Sequence, residues 1–92
     1  MTTIGDKFGR NMRAIRKAHR LSQEELGFRC GSGRTHISAV ENALKDPGLT
    51  LIEGIRVALD VPIEVLWLDD IQPVVDHIVS NRPPVGRARR KR

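Results

Sequence analysis

Apolar residues along the first two thirds of the chain recur at helical spacing, and each run is bracketed by a start or stop signal. Phe8, Met12 and Ile15 form the stripe of a first helix over about 7–18, with Arg10, Arg13, Lys17 and Arg20 spread over its opposite face. Arg16 stands apart from that basic face, beside Met12 and Ile15, where a charge at the edge of a core needs a partner. Ser22 and Glu25 have capping-box spacing, and Leu21 with Leu26 is placed as a hydrophobic staple, so a second helix starts here. Gly31 supplies the positive φ that ends it. A third segment, 33–43, sets Ile37, Val40 and Leu44 on one stripe and Thr35, Ser38, Ala39 and Asn42 on the other. After the turn Asp46-Pro47-Gly48, Thr50 and Glu53 predict a second capping box, opening a fourth helix with Leu51, Ile55, Ala58 and Leu59 inward. Asp60 follows it in a position for a left-handed residue. Pro62 opens a short fifth helix, Ile63 to Leu68, with Ile63, Leu66 and Trp67 apolar.

Residues 69–81 add Pro73 followed by Val74, Val75, Ile78 and Val79, the spacing of an amphipathic turn or two of helix. The letters VVDHIV equally suit a short strand added to a partner's edge. In either form the stripe needs a surface to cover, its own domain or a second subunit. Beyond Pro83-Pro84 the segment VGRARRKR is rich in Arg and Gly with nothing to bury, which predicts disorder in isolation. The expected organisation is therefore a domain over 1–68, an amphipathic extension over 69–81 that is a candidate for dimer formation, and a basic tail over 82–92.

Charge sharpens this division. Residues 1–45 carry nine Lys/Arg against four Asp/Glu, residues 46–81 one against seven, and residues 82–92 six against none. The net charge of +5 thus hides a dipolar body with a basic tail, and polyanion contact is expected from the N-terminal half and the tail. No apolar run approaches the ~20 residues of a membrane span, and the N-terminus lacks a signal peptide's apolar core, so no membrane contact and a cytoplasmic, nucleoid-associated location are expected. One cysteine permits no internal disulfide. With Phe8, Phe28 and Trp67 the only aromatics, a stacking platform for single strands is poorly supplied. His19, His36 and His77 are too far apart for a local metal motif, Cys30 reads as a small core residue, and G-x-S-x-G is absent. No catalytic residue, metal or cofactor is expected, and the chain does not read as an enzyme.

The run LSQEELGFRCGSGRTHISAVEN, Leu21 to Asn42, resembles the helix-turn-helix of the Cro and phage-repressor (Xre-like) family. Leu21, Ser22, Gln23, Glu25, Leu26, Gly31, Ile37, Ser38 and Glu41 fall on its pattern, and the likeness continues through 51–59 and 61–66, over about two thirds of the chain. The resemblance implies a compact five-helix, lambda-repressor-like DNA-binding domain, here with a C-terminal extension and basic tail. It also implies a structural ion pair between Arg16 and Glu41, locking the third helix to the first. Three positions depart from the pattern: Ser32 replaces an apolar plug, Gly33 a Ser-type cap, and Ala43 a common glycine. The turn is then either looser or capped one residue early by Ser32. Gly27, where the family has alanine, is expected to loosen the second helix by roughly 1 kcal/mol. Phe28 beside it is either an exposed contact or folded back over the gap.

A recognition helix over 33–43 with a small, polar outer face suits the DNA major groove. By resemblance, Arg34, Thr35, Ser38 and Ala39 occupy the base-reading positions, Arg34 foremost because bidentate Arg–guanine is the commonest specific contact. Gln23 at a helix start, Asn42, Lys45 and the tail residues Arg87, Arg89 and Arg90 are expected at phosphates. His36 points sideways, toward a phosphate or into packing. In dimeric members the fifth helix forms the subunit interface, which nominates Ile63, Leu66, Trp67 and Val75; Trp67 is equally suited to the core. The expected function is a sequence-specific transcriptional regulator, a repressor, binding a near-palindromic site on double-stranded DNA as a homodimer. The alternative is an antitoxin whose C-terminal half binds a protein toxin and which autoregulates its operon. A third reading is a bridging coactivator that keeps the fold without reading bases.

Overall fold

The computed structural model describes residues 3–82, and all that follows concerns those. The elements are α1 (Ile4–Ala18), α2 (Gln23–Cys30), α3 (Arg34–Glu41), α4 (Leu49–Leu59), a 3₁₀ turn (Ile63–Trp67) and α5 (Gln72–Asn81), with no strand among the described residues. Phe8, Met12, Ile15, Leu26, Ile37, Val40, Ile55, Leu59 and Leu66 close into one core.

Local signals set most boundaries. Ser22 Oγ accepts the Glu25 N–H at 2.9 Å, the Glu25 carboxylate accepts the Ser22 N–H at 2.7 Å, and Gly31 ends α2 at φ 72°. These two bonds to Ser22 hold the Glu25 carboxyl below its ordinary pKa. The same reciprocal cap starts α1 earlier than the expected Lys7. Thr3 Oγ1 accepts from Asp6 N at 3.0 Å and Asp6 Oδ2 from Thr3 N at 3.1 Å, an aspartate filling the place usually given to Glu or Gln. Asp60 ends α4 in the left-handed region at φ 56°.

Four expectations need correction. The second capping box does not form: α4 begins at Leu49 with Gly48 as its cap, Thr50 lies inside the first turn, and Glu53 pairs with Arg56 one turn on. The third helix is shorter than 33–43, because Ala43 turns to φ 59° and the Leu44 N–H closes onto the Ala39 carbonyl at 2.8 Å. That turn throws Leu44 off the inner stripe and leaves it 80% exposed. The segment after Pro62 is a 3₁₀ turn. Of the two forms open to residues 69–81, the chain takes the helix, and α5 packs along α1 with Ile78 buried and Val74 and Val75 half-buried against the core.

Gly27 is the fourth correction. A Cβ there would stand 2.7 Å from the Ser32 carbonyl oxygen, so the glycine admits the turn's backbone against α2 and is no source of looseness. Gly9 does the same between α1 and α3, where a Cβ would meet the carbonyl oxygens of Glu41 at 2.5 Å and Val40 at 2.6 Å. Nothing in the helical periodicity of α1 marks Gly9. Asn11, fully buried, was equally unmarked: its Nδ2 donates to the carbonyls of Leu66 at 3.1 Å and Leu68 at 2.8 Å, fastening the 3₁₀ turn to α1. His19 Nε2 donates to the Leu59 carbonyl at 2.8 Å, joining the end of α1 to the end of α4.

Gly9→Ala is expected to cost about 3 kcal/mol, the upper end for overpacking, because the obstructing atoms are backbone and cannot rotate away. Urea unfolding measures it, and a loss below ~0.5 kcal/mol would show that α1 and α3 separate freely.

Candidate nucleic-acid interface

The site is built around one buried carboxylate. Arg16 Nε donates to Glu41 Oε2 at 2.6 Å and Nη2 to Oε1 at 3.1 Å, with the two side chains only 8% and 1% exposed. The third guanidinium nitrogen, Nη1, donates to the Leu21 carbonyl at 2.7 Å, and Gln23 Nε2 adds a bond to Glu41 Oε1 at 3.1 Å. The last residue of α3 is thereby held from α1, and from α2 through Gln23, while Arg16 also fixes the turn between α1 and α2.

Gln23 is consequently engaged inward, which corrects its expected use as a free phosphate donor. Ser22 caps the Glu25 N–H, so the N–H groups of Gln23 and Glu24 are the donors left at the start of α2. Asn42 lies at the end of α3, exposed, with its Nδ2 donating back to the Ser38 carbonyl at 2.9 Å. Arg34, Thr35 and Lys45 are exposed, and Ser38 and Ala39 half-exposed. His36 turns inward: Nδ1 meets Ser32 Oγ at 3.0 Å and Nε2 is buried without a partner, which favours its packing role over a phosphate contact. Ser32 thus bonds His36, and Gly33 caps α3 with no side-chain bond. Phe28 is 87% exposed, the first of its two alternatives.

Between these elements runs a polar cleft of about 490 Å³, lined by Arg13, Arg16, Ser22, Gln23, Glu24, Arg34, Glu41 and Asn42. It joins the start of α2 to both ends of α3, so these present a single surface. Arg13 is the residue missed by sequence reasoning as a site member. It had been grouped with Arg10, Lys17 and Arg20 on one broad basic face, although its place three residues before Arg16 already put it one turn above the ion pair.

The nominated dimer residues divide. Leu66 has no exposure and belongs to the core, where no partner can reach it, and Val75 packs against α1's side of that core. Trp67 is half-buried with its ring 5.2 Å from that of Phe8, and Ile63 is 41% exposed. Trp67 also borders an apolar groove of about 290 Å³ with Ile4, Phe8, Pro47 and Ile52, and Leu49 on the neighbouring turn is 86% exposed. Arg87, Arg89 and Arg90 lie outside the described residues. Among the described residues no three His, Cys, Asp or Glu side chains gather as a metal site, and no helix is long and apolar enough to cross a membrane. Burial raises the pKa of the Cys30 thiol, consistent with a packing role.

Arg16→Met is expected to destabilise the fold by about 3 kcal/mol or more, because it leaves the Glu41 carboxylate buried with only Gln23. A change within ~0.5 kcal/mol in chemical denaturation would mean that the pair behaves as an exposed one.

A helix-turn-helix family model matches residues 12–66. The chain is 42% identical over 55 residues to the control protein C.BamHI of Bacillus amyloliquefaciens, a match spanning 59% of this chain and 68% of that protein. It is 36% identical over 70 residues to the HTH-type transcriptional regulator y4dL of Sinorhizobium fredii, covering 76% of this chain but only 35% of that longer protein. Among solved structures it is similar to the restriction-modification controller protein C.AhdI of Aeromonas hydrophila, with a TM-score of 0.65 and 35% identity over 67% of this chain and 94% of that one. The matched span takes in α2 and α3 with the Arg16–Glu41 lock that joins them to α1, and the chain belongs to the Xre-like helix-turn-helix family of DNA-binding transcriptional regulators.

Proposed function

We propose that this regulator binds a near-palindromic operator as a homodimer and represses by excluding polymerase from the promoter. The observation that carries the proposal is the outer face of α3, where Arg34 and Thr35 are exposed beside the half-exposed Ser38 and Ala39, on a helix braced by a buried ion pair. Small side chains let the helix axis approach the floor of the major groove, and Arg34 at its first turn is the group able to read a guanine bidentately. Arg13, the helix start at Gln23 and Glu24, Asn42 and Lys45 surround that face and supply phosphate contacts. Similarity to two controller proteins and to the ImmF control region 10 kDa protein of Bacillus phage phi105, 30% identical over 70 residues, supports a regulatory role.

For the dimer, the supporting observation is the exposed apolar set of Ile4, Leu49 and Ile63 near Trp67 and its groove. This moves the proposed interface off Leu66 and Val75 to Ile63, Trp67 and the start of α4. It lies beside the loop after α3, where a two-fold axis can set two recognition helices about one DNA turn, ~34 Å, apart.

Arg34→Ala is expected to lower affinity for a selected operator by ~1–3 kcal/mol and to relax preference at one base position per half-site. Equal losses on operator and random DNA would make Arg34 a phosphate contact. The Leu49→Asp, Ile63→Asp double variant is expected to sediment as a monomer with unchanged helix content and weak operator binding. Persistence of the dimer would exclude this surface. Transcription from an operator-bearing template decides the sign of regulation, and co-purification of a small basic protein in place of operator binding would support the antitoxin alternative.

A further inference from the structure

Helix α5 has a length and direction that the helix-turn-helix core does not require. The chain leaves the 3₁₀ turn against the N-terminal half of α1, where Asn11 holds the Leu68 carbonyl at 2.8 Å and Lys7 pairs with Asp69 at 2.5 Å. Ten residues of α5 then run along α1, with Ile78 buried against it. At the far end the half-buried Arg82 donates from Nη1 to the Ala18 carbonyl at 2.5 Å, on the last residue of α1. At 1.5 Å per residue, α5 carries the chain about 15 Å, much the same as the stretch of α1 from Lys7 to Ala18. The two helices are therefore parallel, and α5 moves the chain from one end of α1 to the other.

That other end is where the nucleic-acid face begins. Ala18 is followed by a turn that Arg16 Nη1 closes onto the Leu21 carbonyl, and then by Ser22, the cap of α2 and a wall of the cleft shared with Arg13, Arg34 and Asn42. Carbonyls at a helix C-terminus carry partial negative charge and attract a cation, so the contact with Arg82 is favourable on both geometric and electrostatic grounds. The ten residues that follow Arg82 include Arg87, Arg89, Arg90, Lys91 and Arg92 and no acidic residue. At ~3.3 Å per residue, Arg87 reaches at most about 17 Å from Arg82 and Arg92 about 33 Å, enough to pass the edge of a half-site and follow the adjoining backbone.

We infer that α5 and the Arg82–Ala18 bond form a strut that roots the basic C-terminal segment beside the start of α2, so that residues 86–92 bind the phosphates of DNA flanking each half-site. The inference rests on the operator-binding reading and adds to it a second contact region and a residue, Arg82, that directs it. Arg82 positions the segment through its bond to Ala18.

The test uses a DNA fragment that the full chain itself selects from a random pool, with hydroxyl-radical footprints of three proteins: the full chain, a truncation ending at Arg82, and Arg82→Ala with the segment intact. The full chain is expected to protect the half-sites and several backbone positions outside them. Truncation is expected to lose only the outer protections and to flatten the dependence of log K on log salt by about 0.9 per lost phosphate contact, up to about 4.5 for five. Arg82→Ala keeps all five distal charges and the helix content, so a loss of defined outer protection in that variant isolates the rooting contact. Outer protections identical in Arg82→Ala and the full chain would overturn the role of Arg82, and an unchanged footprint and salt slope after truncation would overturn the flanking contact. Failure to select any sequence, with no footprint from any of the three proteins, would instead sink the operator-binding reading.

Discussion

The carboxylate of Glu41 is the constraint on which the arrangement of this domain depends. It sits at the end of α3 almost without exposure, and a charge so placed is tolerated only if its acceptor positions are filled. Arg16 supplies a two-pronged contact from α1, Gln23 a third bond from α2, and Arg16 simultaneously holds the Leu21 carbonyl. Satisfying one group therefore fixes the relative placement of three helices. The surface that faces nucleic acid has its stiffness from a contact on its inner side, and none of the proposed base-reading residues takes part in it.

Close backbone approach completes what the ion pair begins. Gly9 allows α1 to touch the carbonyls at the end of α3, and Gly27 allows the turn before α3 to lie against α2. Both contacts shorten the distances across which Arg16 and Gln23 must reach. The turns around them are fixed by left-handed residues at Gly31, Ala43 and Asp60, each directing the chain into the next element. Ala43 does this without glycine's freedom, at a cost of roughly 1–2 kcal/mol, and the turn it makes is also what exposes Leu44.

The uneven charge of the chain acquires a geometry from the fold. Basic residues of α1 and α3 meet the start of α2 around one cleft, while the acidic residues from Asp46 onward belong to the far elements. Asp69 is used structurally against Lys7, which holds its carboxyl below the ordinary range. In α5 the acidic half carries the chain back to the basic side, which explains how a basic C-terminal run can follow an acidic segment without being separated from the DNA-facing surface.

What the sequence determined by itself was whatever is encoded within about one helical turn. The cap at Ser22 and Glu25, the stop at Gly31, the left-handed Asp60 and the stripe of Phe8, Met12 and Ile15 are settled by neighbours three or four residues away. Family wording added the ion pair between Arg16 and Glu41, twenty-five positions apart, which local signals only half-suggested by stranding a charge at a core edge. The tertiary structure alone decided the rest. Thr50 and Glu53 had cap spacing, yet Gly48 took the cap and Glu53 the nearby Arg56; Leu66 and Leu44 read as similar apolar residues, yet one closed the core and the other faced solvent. Gln23 turned inward to a carboxylate on another helix, Arg13 joined the cleft, and Asn11 and Arg82 found carbonyls more than fifty residues away. Spacing along a chain states which face of a helix a residue occupies, but which other helix meets that face depends on how all of them pack together, and no local pattern carries that information.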